Sequence, residues 1–184
     1  MSAWPFADLW TRALTFDQFV AESTQHCGLW TGVYRLAQVP PWALEAAARL
    51  PGRYRLVVLS EDWCGDATNT VPILARWAEQ ASNIALRVLR RDEHPAVMDR
   101  YLTGVARSIP VVVVLTEDMR ELGWWGPRPV ELQTWVMAER AAGRDKKALY
   151  PEIRRWYAKD KGATTLREVL AVMERGGHTG GAVS

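Results

Sequence analysis

The chain has 184 residues, which is about the length of one domain with a sizeable core. Its composition is 48% apolar and 24% charged, which excludes a disordered chain, a collagen-like repeat and a coiled-coil rod. Its 23 basic and 21 acidic residues leave a net charge of +2, too small for electrostatic attraction to nucleic acid. We therefore expect no nucleic-acid partner.

The chain has only two cysteines, Cys27 and Cys64. Two cysteines cannot build the disulfide framework of a small secreted domain, and a zinc site would need further ligands. The three histidines are scattered without ligand spacing. We therefore expect no metal site and no organic cofactor.

The amino terminus lacks a basic segment followed by an apolar one, and no apolar stretch is long enough to span a membrane. These features predict a cytoplasmic protein without a membrane partner. Because cytoplasmic thiols are kept reduced, a cysteine in a special position there is more often reactive or redox-sensing than structural.

Residues 1–52 are predicted to form an amino-terminal helical extension. Thr15 and Gln18 match a capping box ahead of apolar residues at helical spacing, and Pro51 with Gly52 ends the helical pattern. We expect Cys27 near the end of an early helix of this extension.

Residues 53–143 are predicted to form an α/β core in the order strand, helix, strand, helix, strand, strand, helix. The crossover between the first two strands implies that they are parallel, and the short turn between the last two implies an antiparallel hairpin. The predicted fold is a mixed four-stranded sheet with helices on both faces. The predicted strands cover residues 54–59, 84–89, 111–115 and 122–125, and the longest predicted helices cover 65–81 and the segment from 130 to 143.

Residues 144–176 are predicted to form carboxy-terminal helices that complete one globular unit, and residues 177–184 a flexible tail. Most of the ten tryptophans are expected to lie in the core, among them Trp77, Trp135 and Trp156 on helical faces. Trp124 and Trp125 are adjacent in a strand, so they must point to opposite sides of the sheet.

Cys64 is placed where the first strand ends and a helix begins. Free amide N–H groups and the positive end of the helix dipole stabilise a thiolate at such a position, and Gly65 allows a tight turn. The neighbouring carboxylates Glu61, Asp62 and Asp66 act in the opposite direction and raise a thiol pKa. The sequence alone does not decide whether the lowering or the raising effect on the Cys64 pKa is larger.

The segment Glu-Asp-Trp-Cys-Gly-Asp-Ala at 61–67 resembles the W-C-G-P-C active-site turn of the thioredoxin superfamily. Pro72 is similar to the proline that kinks the active-site helix of thioredoxins, and Arg-Ser-Ile-Pro at 107–110 is similar to the segment that carries their cis-proline. These strings, with Trp-Gly-Pro-Arg-Pro at 125–129, also resemble an atypical bacterial subgroup with extra terminal helices. The resemblance implies a thioredoxin-like fold, with Ile109 and Pro110 beside Cys64.

Two departures from the thioredoxin pattern fall on the half-reaction that resolves the mixed disulfide, and a third adds a charge beside the sulfur of Cys64. Ala67 occupies the place of the second cysteine, which releases substrate from the mixed disulfide. Val58 occupies the place of the buried acid that moves protons for that cysteine. Asp66 replaces the proline of the motif. A dithiol cycle within the motif is therefore chemically impossible.

The leading hypothesis is monothiol thiol-disulfide exchange, a possible oxidoreductase activity, with Cys64 as the catalytic thiol acting on protein or low-molecular-weight disulfides. Trp63, Gly65, Asp66, Ile109 and Pro110 would form the active-site turn and substrate groove. An external thiol, or Cys27, would resolve the mixed disulfide. This hypothesis predicts a depressed pKa for Cys64.

Two alternatives remain open at this stage. One is a thioredoxin-fold module that binds a protein or peptide without catalysis, which Ala67, Val58 and the acidic surroundings of Cys64 favour. The other is a thiol oxidation sensor in which Cys64 passes to sulfenic acid and pairs with Cys27.

Overall fold

The computed structural model describes residues 4–177. In this part of the chain, four helices precede the first strand and two long helices follow the last α/β element. The helices are α1 (Phe6–Arg12), α2 (Phe16–Glu22), α3 (Cys27–Leu36), α4 (Pro41–Arg49), α5 (Gly65–Gln80), α6 (Pro95–Met98), α7 (Val130–Ala141), α8 (Lys146–Asp160) and α9 (Ala163–Gly177). The strands are β1 (Tyr54–Ser60), β2 (Ile84–Arg90), β3 (Val111–Thr116) and β4 (Glu121–Trp125), and a 3₁₀ helix covers Arg91–Glu93.

The strands form one four-stranded sheet in the order β2-β1-β3-β4 among the described residues. β1 pairs in parallel with β2, as the long crossover through α5 requires. β3 is antiparallel to β1 and forms a hairpin with β4. The predicted mixed sheet and α/β thioredoxin-like fold are therefore confirmed.

The two central strands carry the core. β1 and β3 are almost entirely buried, which explains their continuous apolar sequence. α5 and α9 contact each other and pack against the sheet. Leu166, Val169 and Met173 of α9 belong to the same apolar cluster as the strands, so α9 is part of the main core.

The amino-terminal helices cover the outer edge of the sheet. Leu14 makes an isolated antiparallel bridge with Val88, and their backbone N–H and C=O groups exchange two hydrogen bonds of 2.9 and 2.8 Å. β2 would otherwise present unpaired backbone groups at that edge. The last of these helices, α4, ends at Arg49, and β1 begins at Tyr54.

α7 and α8 form a smaller apolar cluster of their own, made of Leu132, Val136, Leu149, Ile153 and Tyr157. Trp135 and Trp156 are only half-buried at its margin, where they line a cavity of about 380 Å³. The expectation that both lie in the core is therefore wrong, because the α7–α8 pair has too few neighbours to cover them. Trp77 is fully buried, and Trp125 is buried while Trp124 is 36% exposed, as alternation along a strand requires.

Most of the tail predicted at 177–184 lies outside the described residues, since α9 includes Gly177. Between residues 4 and 177, no helix combines the length and the apolar character that crossing a membrane requires.

Candidate functional site

Cys64 is the N-cap residue of α5. Its backbone is extended (φ −82°, ψ 111°), and its Sγ accepts a hydrogen bond of 3.4 Å from the backbone N–H of Ala67. Sulfur thus occupies the position that a serine or aspartate oxygen takes in an ordinary N-cap. The predicted position of Cys64 at the start of the helix is confirmed.

Pro110 lies beside this thiol. The Ile109–Pro110 peptide bond is cis, and the thiol of Cys64 donates to the carbonyl oxygen of Ile109 at 3.4 Å. The strand register explains why this segment lies next to Cys64. β3 is antiparallel to β1 and pairs Val111 with Leu59 near the end of β1. The structure therefore brings Cys64, Ile109 and Pro110 together, as the sequence predicts.

The Cys64 side chain is almost completely buried, with 7% of its surface exposed. Burial, and second the carboxylate of Asp66, raise the pKa of Cys64 to about 11, against the lowering effects of the backbone N–H groups and of Arg128. The prediction of a depressed pKa is wrong. Removing the thiol from water disfavours its charged form more than the helix terminus favours it.

Asp66 lies in a buried ion pair with Arg128. The guanidinium binds both carboxylate oxygens, with Nε–Oδ1 and Nη2–Oδ2 distances of 2.8 and 2.6 Å. The side chains of Arg128 and Asp66 are only 11% and 13% exposed. Such a two-pronged pair holds both groups in a defined orientation.

Two more side chains complete the surroundings of this pair. The hydroxyl of Tyr157, from α8, donates to Asp66 Oδ1 at 3.0 Å, and Arg128 Nη1 donates to Gln133 Oε1 at 2.8 Å. Burial and the Asp66 carboxylate raise the pKa of Tyr157 well above its ordinary value, so its hydroxyl remains a donor. The carboxy-terminal helices therefore reach the turn that carries Cys64.

Glu61 and Asp62 are turned towards other partners. Glu61 accepts from the backbone N–H of Asp92 at 2.8 Å. Asp62 Oδ2 accepts from the backbone N–H groups of Thr24 and Gln25 at 2.7 and 3.0 Å. The expectation that all three neighbouring carboxylates act on the thiol is therefore corrected, because only Asp66 is among the causes of the raised pKa.

Trp63 and Gly65 form the exposed side of the turn. The Trp63 side chain is 40% exposed, and the guanidinium of Arg91 lies 4.9 Å from the centre of its ring. A Cβ added at Gly65 would meet nothing within 4 Å. This side of the turn is open to an approaching ligand.

Cys27 differs from Cys64 in its exposure to solvent. It is exposed, whereas Cys64 is buried, and both thiols are free. Cys27 begins α3 rather than ending a helix, because His26 takes the left-handed conformation (φ 54°) and starts the new helix. Gly28 lies inside that helix and does not end it. The Cys27 thiol donates to the carbonyl oxygen of Ser23 at 3.2 Å.

Three residues near the thiol were not among the predicted site residues: Gly126, Arg128 and Tyr157. A Cβ at Gly126 would lie 2.2 Å from the carbonyl oxygen of Pro110, so this glycine allows the second cis bond, Gly126–Pro127, to pack on the first. The glycine and proline of Trp-Gly-Pro-Arg-Pro could have indicated such a turn. No local signal indicates Tyr157.

The described residues offer no obvious metal site. Within residues 4–177, no group of three or more His, Cys, Asp or Glu side chains is placed to hold a metal ion. The chemistry that the arrangement can perform is that of one thiol at a helix N-terminus, beside a backbone segment fixed by a cis-proline.

A strand that ends in a helix-capping cysteine, with a cis-proline from the antiparallel neighbour beside it, defines the thioredoxin-like class. A sequence model of a thioredoxin family matches residues 13–144. This match covers well over half of the chain, so the protein belongs to the thioredoxin family. None of the curated proteins compared with the chain matches it.

Solved structures with the same fold extend over nearly the whole chain. A protein of unknown function from Pseudomonas aeruginosa has a TM-score of 0.74 and 24% identity, covering 94% of this chain and 98% of its own. An HIV epitope-scaffold has a TM-score of 0.72 and 22% identity, covering 92% and 97%. Because coverage is nearly complete, the terminal helices belong to the shared architecture.

Proposed function

We propose that the protein carries out monothiol thiol-disulfide exchange through Cys64. The observation that carries this proposal is the position of Sγ, which accepts from the Ala67 N–H at the start of α5 and lies 3.4 Å from the Ile109 carbonyl oxygen at the cis-proline. A substrate chain that pairs with the Ile109 backbone would bring its sulfur to Sγ. Trp63, Gly65 and Asp66 would complete the groove.

The exchange has two steps. Cys64 first loses its proton to solvent, and the thiolate attacks one sulfur of a disulfide R–S–S–R′. The S–S bond breaks, a Cys64–S–S–R mixed disulfide forms, and R′–S⁻ leaves and takes up a proton. A second thiol, R″–SH, then loses its proton and attacks the sulfur of R as its thiolate. The Cys64–S–S–R bond breaks, R–S–S–R″ forms, and the Cys64 thiolate leaves and takes up a proton.

The raised pKa limits the first step at neutral pH. With a pKa of about 11, only a very small fraction of Cys64 is thiolate, but that thiolate is a strong nucleophile, since nucleophilicity rises with thiol pKa. The thiol must also give up its hydrogen bond to Ile109. We therefore infer slow exchange at neutral pH and faster exchange as the pH rises.

An external thiol is the proposed resolver of the mixed disulfide. Ala67 is fully buried where thioredoxins carry their second cysteine, and Cys27 is exposed on α3 with its thiol bonded to Ser23. The proposed partners are protein or low-molecular-weight disulfides and thiols. We also propose a cytoplasmic location and membership of the subgroup with the Trp-Cys-Gly-Asp-Ala motif.

A second candidate is a peptide-binding module without turnover. The burial of Cys64 and its raised pKa favour it, as does Val58, fully buried in the place of the thioredoxin acid. Under this proposal the cis-proline segment binds partners and the thiol serves as a small apolar group.

Mass spectrometry on single-thiol variants separates the two candidates. The Cys27→Ser protein is incubated with hydroxyethyl disulfide and then with excess thiol, and Cys64→Ser serves as the matched control. Exchange predicts an adduct on Cys64 that the added thiol removes. A folded Cys27→Ser protein that stays unmodified, although Cys27 in the control is labelled, would overturn exchange and leave the binding module.

A further inference from the structure

The Asp66–Arg128 pair places two opposite charges at the turn that carries Cys64. Asp66 is two residues after Cys64 on α5, and Arg128 comes from the loop between β4 and α7. Each side chain is almost completely enclosed, so solvent screens their fields weakly. The two charges act in opposite directions on the thiol.

We propose that this ion pair controls the reactivity of Cys64, with Arg128 as a positioning residue that balances Asp66 and becomes the stabiliser of the thiolate when the Asp66 charge is removed. The inference rests on the proposed role of Cys64 as a reacting thiol. It goes further, because it assigns control of that thiol to a residue outside the strand-helix unit.

Among the described residues, two charged side chains and one further titratable side chain bear on the thiol. Asp66 on α5 and Arg128 on the β4–α7 loop are the charges that act on Cys64, and Tyr157 on α8 is the third titratable group of the cluster. Tyr157 stays protonated and neutral. Glu61 and Asp62 are bound to the backbone N–H groups of other segments, so the balance at the thiol is set by one carboxylate and one guanidinium.

The position of Arg128 is fixed from both sides. Its own contacts are the two oxygens of Asp66 and the amide oxygen of Gln133. On α9, Glu168 accepts from Trp125 Nε1 at 2.6 Å and from the Val130 N–H at 2.9 Å. These bonds hold the chain before and after Arg128 independently of Asp66, and the Gln133 amide oxygen remains an acceptor for the guanidinium when the Asp66 charge is removed.

Three variants in a Cys27→Ser background test the proposal by the rate of Cys64 alkylation with iodoacetamide between pH 7 and 9.5. Asp66→Asn leaves Arg128 unbalanced and is expected to raise the rate at a given pH about tenfold. Arg128→Gln leaves Asp66 unbalanced and is expected to lower the rate several-fold. The double variant removes both charges and is expected to lie between the two single variants and above the parent rate, because Asp66 acts on the thiol more strongly than Arg128 does.

A merely structural role gives a different result. If the pair only holds the loop in place, each variant loosens the site and all three rates rise together, which overturns the proposal, as does an Asp66→Asn rate within about twofold of the parent. Removing one partner of a buried pair can destabilise a fold, so circular dichroism checks folding.

If a single variant does not fold, Tyr157→Phe with Tyr150→Phe as its control replaces it. Loss of the Tyr157 hydroxyl weakens the hold on the Asp66 carboxylate and is expected to change the Cys64 rate, whereas loss of the exposed Tyr150 hydroxyl is not, and equal rates for the two overturn the proposal.

Alkylation does not depend on disulfide exchange. An opposite effect of the two single variants on alkylation, together with no adduct from hydroxyethyl disulfide, supports the ion-pair control and contradicts the proposed function. A mixed disulfide on Cys64, together with alkylation rates that the charge variants leave unchanged, supports the proposed function and contradicts the ion-pair control.

Discussion

At the scale of single residues, the thiol of Cys64 is governed by burial. The N-cap hydrogen bond from Ala67 and the helix dipole favour the thiolate, but removal from water and the nearby Asp66 carboxylate outweigh them. The S–H group also donates to the Ile109 carbonyl oxygen, and a thiolate cannot make this bond. The resting protein therefore holds a neutral thiol.

This raised pKa makes folding stability dependent on pH. Cys64 ionises near pH 9 in the unfolded chain and only near pH 11 in the folded chain. The contribution of the neutral thiol to the free energy of unfolding is therefore complete below pH 9 and is lost as the pH rises to 11. The loss is about 3 kcal/mol. Urea unfolding at several pH values measures the free energy of unfolding of the parent protein and of Cys64→Ser. Relative to the variant, the parent is expected to lose that amount between pH 9 and 11. A constant difference between the two proteins would contradict the raised pKa.

Prediction from sequence succeeds at this scale where the signal is local. The cysteine at a strand-to-helix junction and the proline before the next strand are visible in the sequence. The partners of Asp66 are not, since Arg128 is 62 and Tyr157 is 91 residues away. Burial of the thiol is also a property of the packed structure, which is why the direction of its pKa was predicted wrongly.

At the scale of elements, two cis-proline segments pack against each other at the end of the sheet. Gly126 has a φ of 134°, and its missing Cβ leaves room for the Pro110 carbonyl oxygen. β3 and β4 are antiparallel neighbours, so the start of β3 lies beside the end of β4. The segments that precede β3 and follow β4 therefore lie at the same end of this strand pair. The segment before Arg128 thus supports the segment beside Cys64.

Gly126→Ala is expected to destabilise the protein by at least about 2 kcal/mol, because the backbone conformation is strained for alanine and the added Cβ overlaps the Pro110 carbonyl oxygen. Gly104→Ala is the control, since Gly104 also has a positive φ (61°) but open space around it. Its expected cost is about 1 kcal/mol. Thermal unfolding of both variants measures the difference, and equal losses would show that the contact with Pro110 contributes nothing.

The parallel pairing of β1 with β2 and the β3–β4 hairpin were predictable for physical reasons. Continuous apolar runs predicted the buried strands, a crossover of helix length predicted the parallel pair, and a short turn predicted the hairpin. The start of α3 was not predictable in the same way, because His26 provides no side-chain cap hydrogen bond and Gly28 resembles a stop signal.

At the scale of the whole molecule, the terminal helices are attached to the site as well as to the core. Asp62 ties the α2–α3 loop to the turn that carries Cys64, and its carbonyl oxygen accepts from Trp30 Nε1 at 3.0 Å. Tyr157 ties α8 to Asp66, and Glu168 ties α9 to the segment around Arg128. We propose that the predicted segments 1–52, 53–143 and 144–176 act as one unit because of these links.

Asp62→Ala is expected to lower the free energy of unfolding by about 1–2 kcal/mol, since the Thr24 and Gln25 N–H groups lose their shared acceptor. Hydrogen exchange of these two amides is expected to become faster. Asp8→Ala, at an exposed position in the first turn of α1, is the control and is expected to change stability by less than about 1 kcal/mol. Unchanged exchange at Thr24 and Gln25 in Asp62→Ala would contradict the link.

The rate of mixed-disulfide formation at Cys64, followed by intact mass in the Cys27→Ser protein with hydroxyethyl disulfide, tests the central claim most directly. For a neutral, buried thiol that takes part in exchange, the rate is predicted to rise about tenfold for each pH unit between pH 7 and 9.5, as the thiolate fraction rises. A folded protein whose Cys64 forms no mixed disulfide anywhere in this range would contradict the claim.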